Sequence, residues 1–286
     1  MERIVNLAEK LSELSIANYN NPYLLFEWPE NLDEDAWYFT PEYISIYGTS
    51  EFEQLTTADQ KRLSLLEAVN FFSLNIHGEK SLMRGLTKRL YHNRPKEVSD
   101  YLHHFVGEEN KHMSLFGKFC NRYLGKVYPS RAYEIPNELG EAEEDFLFFV
   151  KVVIFEELVD FYNLNMSDDE RLHDLARGIN QYHHNDEVRH ISFGRTITRN
   201  LFNQLKPEWS EEKLFQIQAY ILAYIESTWK EYYNPYVYND MKFENAYALF
   251  ETAWALDGTR AHRAKAGRKC YKYLLDAGML IQEPEV

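Results

Sequence analysis

The chain has 286 residues, 45% of them hydrophobic and 15% aromatic, and a formal net charge of −14 at pH 7. That length suffices for a large domain with a well-buried core, and the acidic balance argues against a general nucleic-acid surface, which depends on clustered Lys and Arg. Two cysteines, Cys120 and Cys270, give neither a disulfide framework nor a cysteine zinc site and read as small buried hydrophobes.

Residues 1–18 read as an amphipathic acidic helix, unlike the basic start and apolar run of a secretory signal, so we expect a cytoplasmic protein. Residues 38–47 are the one stretch with extended character. The nine prolines leave Pro-free spans at 42–94, 96–128, 137–206 and 208–234, each the size of a helix or a helical hairpin. Leu63, Leu66, Val69, Phe72 and Ile76 recur at three and four, as on a helix face. Asn93-Arg94-Pro95 predicts a turn, because the residue before Pro resists αR geometry. Residues 145–164 form the most apolar span, but Lys151, Glu156, Glu157 and Asp160 interrupt it, whereas a bilayer crossing needs about twenty apolar residues. It reads as a buried helix with carboxylates turned inward. Near the C-terminus Arg260, Arg263, Lys265, Arg268, Lys269 and Lys272 crowd a helical segment, read as a solvated face. We therefore expect one all-α domain over 1–286, with 1–58 as an extension packing on a four-helix core at 59–206 and additional helices at 207–286.

Three Glu-x-x-His elements occur, Glu109/His112, Glu170/His173 and Glu187/His190. On a helix, residues at i and i+3 share a face, so one stripe can offer an oxygen and a nitrogen to the same metal ion. In bundles that hold two metal ions, two helices each give a Glu and two others each give a Glu-x-x-His. The Glu170 pair follows Met166-Ser167-Asp168-Asp169, a polar turn, and reads as structural. For the other two, register supplies partners. Antiparallel ligands lie level when equally far from the turn. Glu79 and Glu109 stand nearly so about Pro95, while Glu67 would sit about 18 Å further along. Glu156 and Glu187 come level only if their connection centres on residues 170–172, and a tight turn at Ser167 would slip them by about 13 Å. Glu157 stays open as an alternative to Glu156. His183, Glu187 and His190, at i, i+4 and i+7, fall within an arc of about 60°, which makes His183 a further donor, whereas His184 points about 100° away.

Four carboxylates buried together would be costly without a cation. Carboxylate and imidazole donors suit iron or manganese, and a paired site with open positions can bind O2. Glu109 and Glu187 are the candidates to bridge the ions, with Glu79 and Glu156 terminal.

The pattern Glu79, Glu109-x-x-His112, Glu156, His183-x3-Glu187-x-x-His190 resembles the p-aminobenzoate N-oxygenase (AurF-like) family of di-iron oxygenases, in the ferritin-like superfamily. The stretch Thr40-Pro41-Glu42-Tyr43-Ile44-Ser45-Ile46-Tyr47-Gly48-Thr49 is similar to the lead-in to that family's first bundle helix, and the likeness covers roughly residues 38–235. The resemblance implies a ferritin-like four-helix core, Glu156 rather than Glu157 as ligand, and an O2-dependent oxygenase with two iron ions, or manganese in their place, that N-oxygenates an amine or arylamine. It also implies that the acid preceding each Glu-x-x-His orients the opposite His, pairing Asp186 with His112 and Glu108 with His190. The partners expected are a small-molecule substrate, O2, an external electron donor (a ferredoxin or flavin reductase) and a second copy in a homodimer, with no nucleic acid or membrane. The alternatives are C–H hydroxylation or desaturation on the same centre, and a ferritin-like ferroxidase.

Overall fold

The computed structural model describes residues 2–92, 95–130 and 140–286. Among them there is no strand, only an isolated bridge between Trp37 and Leu172, and the chain is all-α as its periodicity predicts. Helix α1 (Glu2–Ala17) and the single turn α2 (Ser50–Glu53) precede four long helices, α3 (Thr57–Arg89), α4 (Lys96–Tyr123), α5 (Glu141–Asp168) and α6 (Asp174–Leu205). Shorter ones follow: α7 (Glu211–Tyr232), α8 (Pro235–Asp240), α9 (Ala246–Ala255) and α10 (Asp257–Asp276). The stretch expected to be extended is mostly irregular and carries a 3-10 turn at Pro41–Tyr43.

Local chemistry sets the helix ends. Thr56 caps α3 by accepting from the Asp59 amide at 3.2 Å, one of the donors a helix start leaves open, and its hydroxyl donates to the Asp59 carboxylate at 2.7 Å, which holds the cap in place. Pro95 stands directly ahead of α4; Asn93 and Arg94 of the expected turn lie outside the described residues. Helix α5 runs on past Ser167 to Asp168, and α6 starts at Asp174 with His173 as its cap, its Nδ1 accepting from the Leu175 amide at 3.1 Å. The connection is thus centred on residue 171, the position that brings Glu156 and Glu187 level. Arg171 braces it with paired 2.8 Å hydrogen bonds to Glu42, and the exposed Glu170 takes no part in a metal-type cluster.

The long helices pack as two pairs, α3 with α4 and α5 with α6; α1 lies across α4 and α6, α7 against α3 and α5, and α10 along α5. Two glycines set how closely α3 meets α5. A Cβ on Gly78 would stand 2.1 Å from Phe155 Cζ, and one on Gly85 1.9 Å from Phe148 Cε2, so each ring fills the notch its glycine leaves. We expect Gly78→Ala to cost about 1–3 kcal/mol, the range for overpacking a tight contact, seen as a lower urea midpoint at unchanged slope. An unaltered midpoint would show that the ring yields freely.

No described helix is long and apolar enough to cross a membrane. Both cysteines are buried and free. The basic C-terminal segment departs from its reading at one residue. Arg263 is only 1% exposed: it stacks 4.0 Å over Trp254 and donates to the Tyr233 hydroxyl and the Trp254 carbonyl, each at 2.8 Å. Both Nη groups are thus satisfied and the face lies on an indole, which lets the guanidinium leave solvent although Nε has no partner among the described residues. Arg260, Lys265, Arg268, Lys269 and Lys272 remain exposed.

His262, beside Arg263, titrates low. Burial, with the charges of Lys265 and Arg263, pulls its pKa from 6.5 to about 4. Between these values the unfolded chain takes up a proton that the folded chain refuses, so stability falls as pH drops through this window. The full shift corresponds to about 3 kcal/mol. Urea titrations across the window should show that slope in the wild type and a flatter one in His262→Phe; equal slopes would remove His262 as the cause.

Candidate metal centre

The four long helices bring Glu79, Glu109, His112, Glu156, His183, Glu187 and His190 into one buried cluster, none more than 3% exposed. Helix α3 supplies Glu79, α4 Glu109 and His112, α5 Glu156, and α6 the last three. The donors fall into two groups, Glu79 with His112 and His183, and Glu109 with Glu156, Glu187 and His190; within each, ligand atoms lie within 4.8 Å of one another. Glu109 and Glu187 face both groups. Glu109 Oε2 is 3.7 Å from His112 Nδ1 while its Oε1 is 2.9 Å from His190 Nδ1. Glu187 Oε1 is 3.6 Å from His112 Nδ1 and 2.8 Å from His183 Nε2, and its Oε2 is 3.5 Å from His190 Nδ1.

The remaining candidates separate cleanly. Glu157, adjacent to Glu156 but about 100° round the helix, turns away to a forked pair with Arg195 at 2.6 and 2.5 Å. His184 binds Asp160 at 2.6 Å. Glu67 is buried elsewhere, taking the amide and hydroxyl hydrogens of Ser45; burial raises its pKa to about 7 despite those bonds.

The far side of each imidazole is held by an acid from the neighbouring helix. Asp186 Oδ2 lies 3.0 Å from His112 Nε2, and Glu108 Oε2 lies 2.8 Å from His190 Nε2. With Nε2–H donated outward, each ring presents Nδ1 inward as an acceptor.

Among the described residues those inward atoms approach one another but make no hydrogen bond. Both oxygens of Glu79 and of Glu156, Glu109 Oε1, Glu187 Oε2, His112 Nδ1 and His190 Nδ1 are buried without a hydrogen bond. Scattered buried atoms without a partner occur elsewhere in the chain, but eight that converge on one place, all carboxylate oxygens or imidazole nitrogens, fit cations. Charge tells the same story. Burial pushes the Glu79 and Glu156 carboxyls well above the usual range, whereas Glu187, which burial alone would also raise, is held well below it by His183 and His190. His112 and His183 are raised to about 9, the surrounding carboxylates outweighing the burial that disfavours the imidazolium. Protons thus balance the charge that metal would balance, and metal uptake must expel them.

Comparison with known proteins decides the family. The model of the P-aminobenzoate N-oxygenase AurF family matches residues 2–278. The chain belongs to the AurF family. Relatives described as uncharacterized proteins of Mycobacterium tuberculosis and Mycobacterium bovis are 26% identical to it over 212 residues, covering 70% of this chain and 62% of theirs, so the match spans less than two thirds of those relatives. Two similar solved structures are mutants of an R2-like ligand-binding oxidase with a reconstituted Mn/Fe cofactor, at TM-scores of 0.52 and 0.50 and 17% identity, covering 96% of this chain and 92% and 93% of theirs. At that identity the likeness speaks for the fold alone, an all-α helical bundle.

Two residues of this AurF-family site escaped sequence reasoning. Arg189 is buried between the two outer acids, with Nη2 2.6 Å from Glu108 Oε1 and 2.5 Å from Asp186 Oδ1, while its Nε donates to Ser15 of α1 at 3.1 Å. The available signal was an Arg one step before His190 and three after Asp186, on the stretch of α6 that carries the ligands. Asn163 lies with its amide 2.9 Å from His183 Nδ1, and its oxygen has no other partner. With that oxygen turned onto the ring, Nδ1–H is donated to Asn163 and Nε2 is free to face Glu79 and Glu187.

Proposed function

We propose that the chain is an O2-dependent, non-haem di-iron oxygenase whose metal ligands are Glu79, Glu109, His112, Glu156, His183, Glu187 and His190, and that it N-oxygenates an amine or arylamine. The observation that carries this reading is the convergence of buried, unpartnered carboxylate and imidazole atoms in two adjoining groups, in a chain of the AurF family. Hard oxygen donors with a minority of imidazoles suit iron, and manganese next. Two iron ions held here would supply the electrons that reduce O2 and the position from which oxygen reaches substrate.

This chain's own residues do the rest. Glu109 and Glu187 each offer an oxygen to both groups and so would set the spacing of the ions. Glu79 and Glu156, each the preserve of one group, are free to shift, while Asp186 and Glu108 fix the tautomers of His112 and His190. A cavity of about 340 Å³ between α3, α5 and α7 has Gly78 and Phe155 in its wall, the residues directly ahead of Glu79 and Glu156. Phe148, Phe155, Tyr220 and Tyr224 line it, and Lys151 stands 5.9 Å from each of the last two rings. That volume and lining suit a small flat molecule with an aromatic body. An external donor, a ferredoxin or flavin reductase, would reset the centre, in the cytoplasm and in a homodimer.

The test is bound iron per chain after anaerobic Fe(II) loading and desalting, then the optical spectrum on exposure to air with and without arylamines. Retained iron, an O2-dependent absorbance and hydroxylamine or nitro products are expected. Iron turnover with no organic product would point to a ferroxidase, and a chain that retains no iron overturns the reading.

A further inference from the structure

Tyr162 is the hub of the aromatic core. Its ring packs at centroid distances of 5.6 Å on Phe71, 5.9 Å on Phe39, 5.5 Å on Tyr43 and 4.8 Å on Tyr232, the last nearly parallel at 26°. Toward the metal centre the rings are continuous, from Tyr162 to Phe71 (5.6 Å), Phe72 (6.0 Å), Phe116 (5.0 Å) and His183 (5.0 Å). In the other direction Tyr232 leads to Trp229 at 5.3 Å, whose indole N–H donates to the Tyr271 hydroxyl at 2.6 Å.

Tyr162 joins this ring path to a basic acceptor, whereas Tyr128, whose hydroxyl donates to Asp240, stands outside the path. The Tyr162 hydroxyl lies 2.9 Å from His262 Nε2. Among the described residues the buried Tyr232 hydroxyl has no hydrogen-bond partner, nor do those of Tyr101 and Tyr182. A desolvated phenol cannot ionise on its own, and burial raises Tyr162 well above its ordinary pKa. It can lose an electron only if its proton leaves at the same time, and an imidazole is a group able to take it. His262 Nε2 faces the hydroxyl as the acceptor, and although its pKa is lowered to about 4, a phenol that has lost an electron is acidic enough to protonate it. Together with Tyr162 it lines a second cavity, of about 360 Å³, at whose rim Glu42, Tyr47 and Gly258 are exposed, so the accepted proton has a route toward solvent.

We propose that Tyr162 and His262 form a proton-coupled redox pair serving the metal centre: the phenol gives one electron inward along the ring path and its proton to His262 Nε2. The inference rests on the di-metal reading, because the oxidant is a metal pair oxidised by O2. In the step the phenolic O–H bond breaks and an Nε2–H bond forms, the metal pair is reduced by one electron, and a neutral tyrosyl radical faces an imidazolium. An external one-electron reductant restores the phenol as the imidazolium returns its proton. When substrate is absent the pair would discharge the oxidised centre without damage to its ligands.

The experiment is rapid-freeze EPR of Fe(II)-loaded protein mixed with O2 in the absence of substrate, with iron oxidation followed optically in the same samples. The wild type should give an organic radical whose hyperfine pattern narrows when tyrosine is ring-deuterated. The signal should be lost in Tyr162→Phe and in His262→Phe, and kept in Tyr232→Phe. Circular dichroism melts establish that each variant folds; a merely structural hydrogen bond would lower the melting temperature and leave the radical intact. Iron that is retained and oxidised without a tyrosyl signal, or with the same signal in Tyr162→Phe, overturns the redox pair alone. A wild-type chain that retains no iron overturns both the pair and the oxygenase reading.

Discussion

Glu187→Ala is expected to abolish metal binding, whereas Glu170→Ala is expected to leave it unchanged. Glu187 is the costliest residue to lose because its two oxygens face both donor groups, Oε1 toward His183 and His112 and Oε2 toward His190. Truncation therefore takes a donor from each ion at once and leaves the raised imidazoles without the carboxylate that balances them. Glu170 belongs to a Glu-x-x-His element too, but it is exposed in the connection between α5 and α6, and its partner His173 is occupied as a helix cap. Metal analysis after desalting separates the two variants. A second readout needs no activity: metal at one hundred times its Kd should stabilise the wild type by about 2.7 kcal/mol per ion, a rise in melting temperature that Glu187→Ala should not show. Equal metal content in the two variants would sink the ligand assignment.

Arg189→Leu should bring the second large loss. The guanidinium is the only described cation bonded to both Glu108 and Asp186, and those acids in turn hold His190 and His112. Removing one partner of a buried ion pair leaves the others uncompensated, a loss of about 3–5 kcal/mol. Loss of the groups that orient a metal-bound imidazole lowers metal affinity about 10–100-fold. Glu108 and Asp186 both titrate below the usual carboxylate range, since their imidazole and guanidinium partners outweigh burial. Their contribution is therefore fully present above the ordinary carboxylate pKa and is lost as pH falls from there through the lowered folded values, so the gap between wild type and variant should narrow in acid. Arg189→Lys should recover only part of it, because an ammonium lacks the fork that spans two acids. Denaturant midpoints at several pH values and Fe(II) titrations provide the check; a variant as stable and as iron-avid as the wild type would remove Arg189 from the site.

Much of this arrangement is legible in the chain because it is periodic. A helix places i, i+3, i+4 and i+7 together wherever it sits, so His183, Glu187 and His190 had to share a face, and a turn at Pro95 had to bring Glu79 level with Glu109. The second hairpin was less determined. Its register hung on whether the chain turned at Ser167 or further on, and α5 continues to Asp168 before a connection that Arg171 ties to Glu42, far away in sequence.

What the sequence by itself determined was the helical class, the donor types and which residues share a face of one helix, since those follow from spacing of a few residues. What only the tertiary structure decided was which face meets which neighbour. Glu156 and Glu157 are equally acidic and adjacent; one turns into the bundle and the other finds Arg195. Arg263 looked like one of a row of solvated cations until Trp254 and Tyr233 closed over it, and Arg189 gained its meaning from Glu108, a residue of another helix. The Phe155 ring over Gly78 and the Tyr162 hydroxyl on His262 are of the same kind. Each depends on contacts between residues distant in the chain, and no local period encodes those, because they are fixed only when the helices pack.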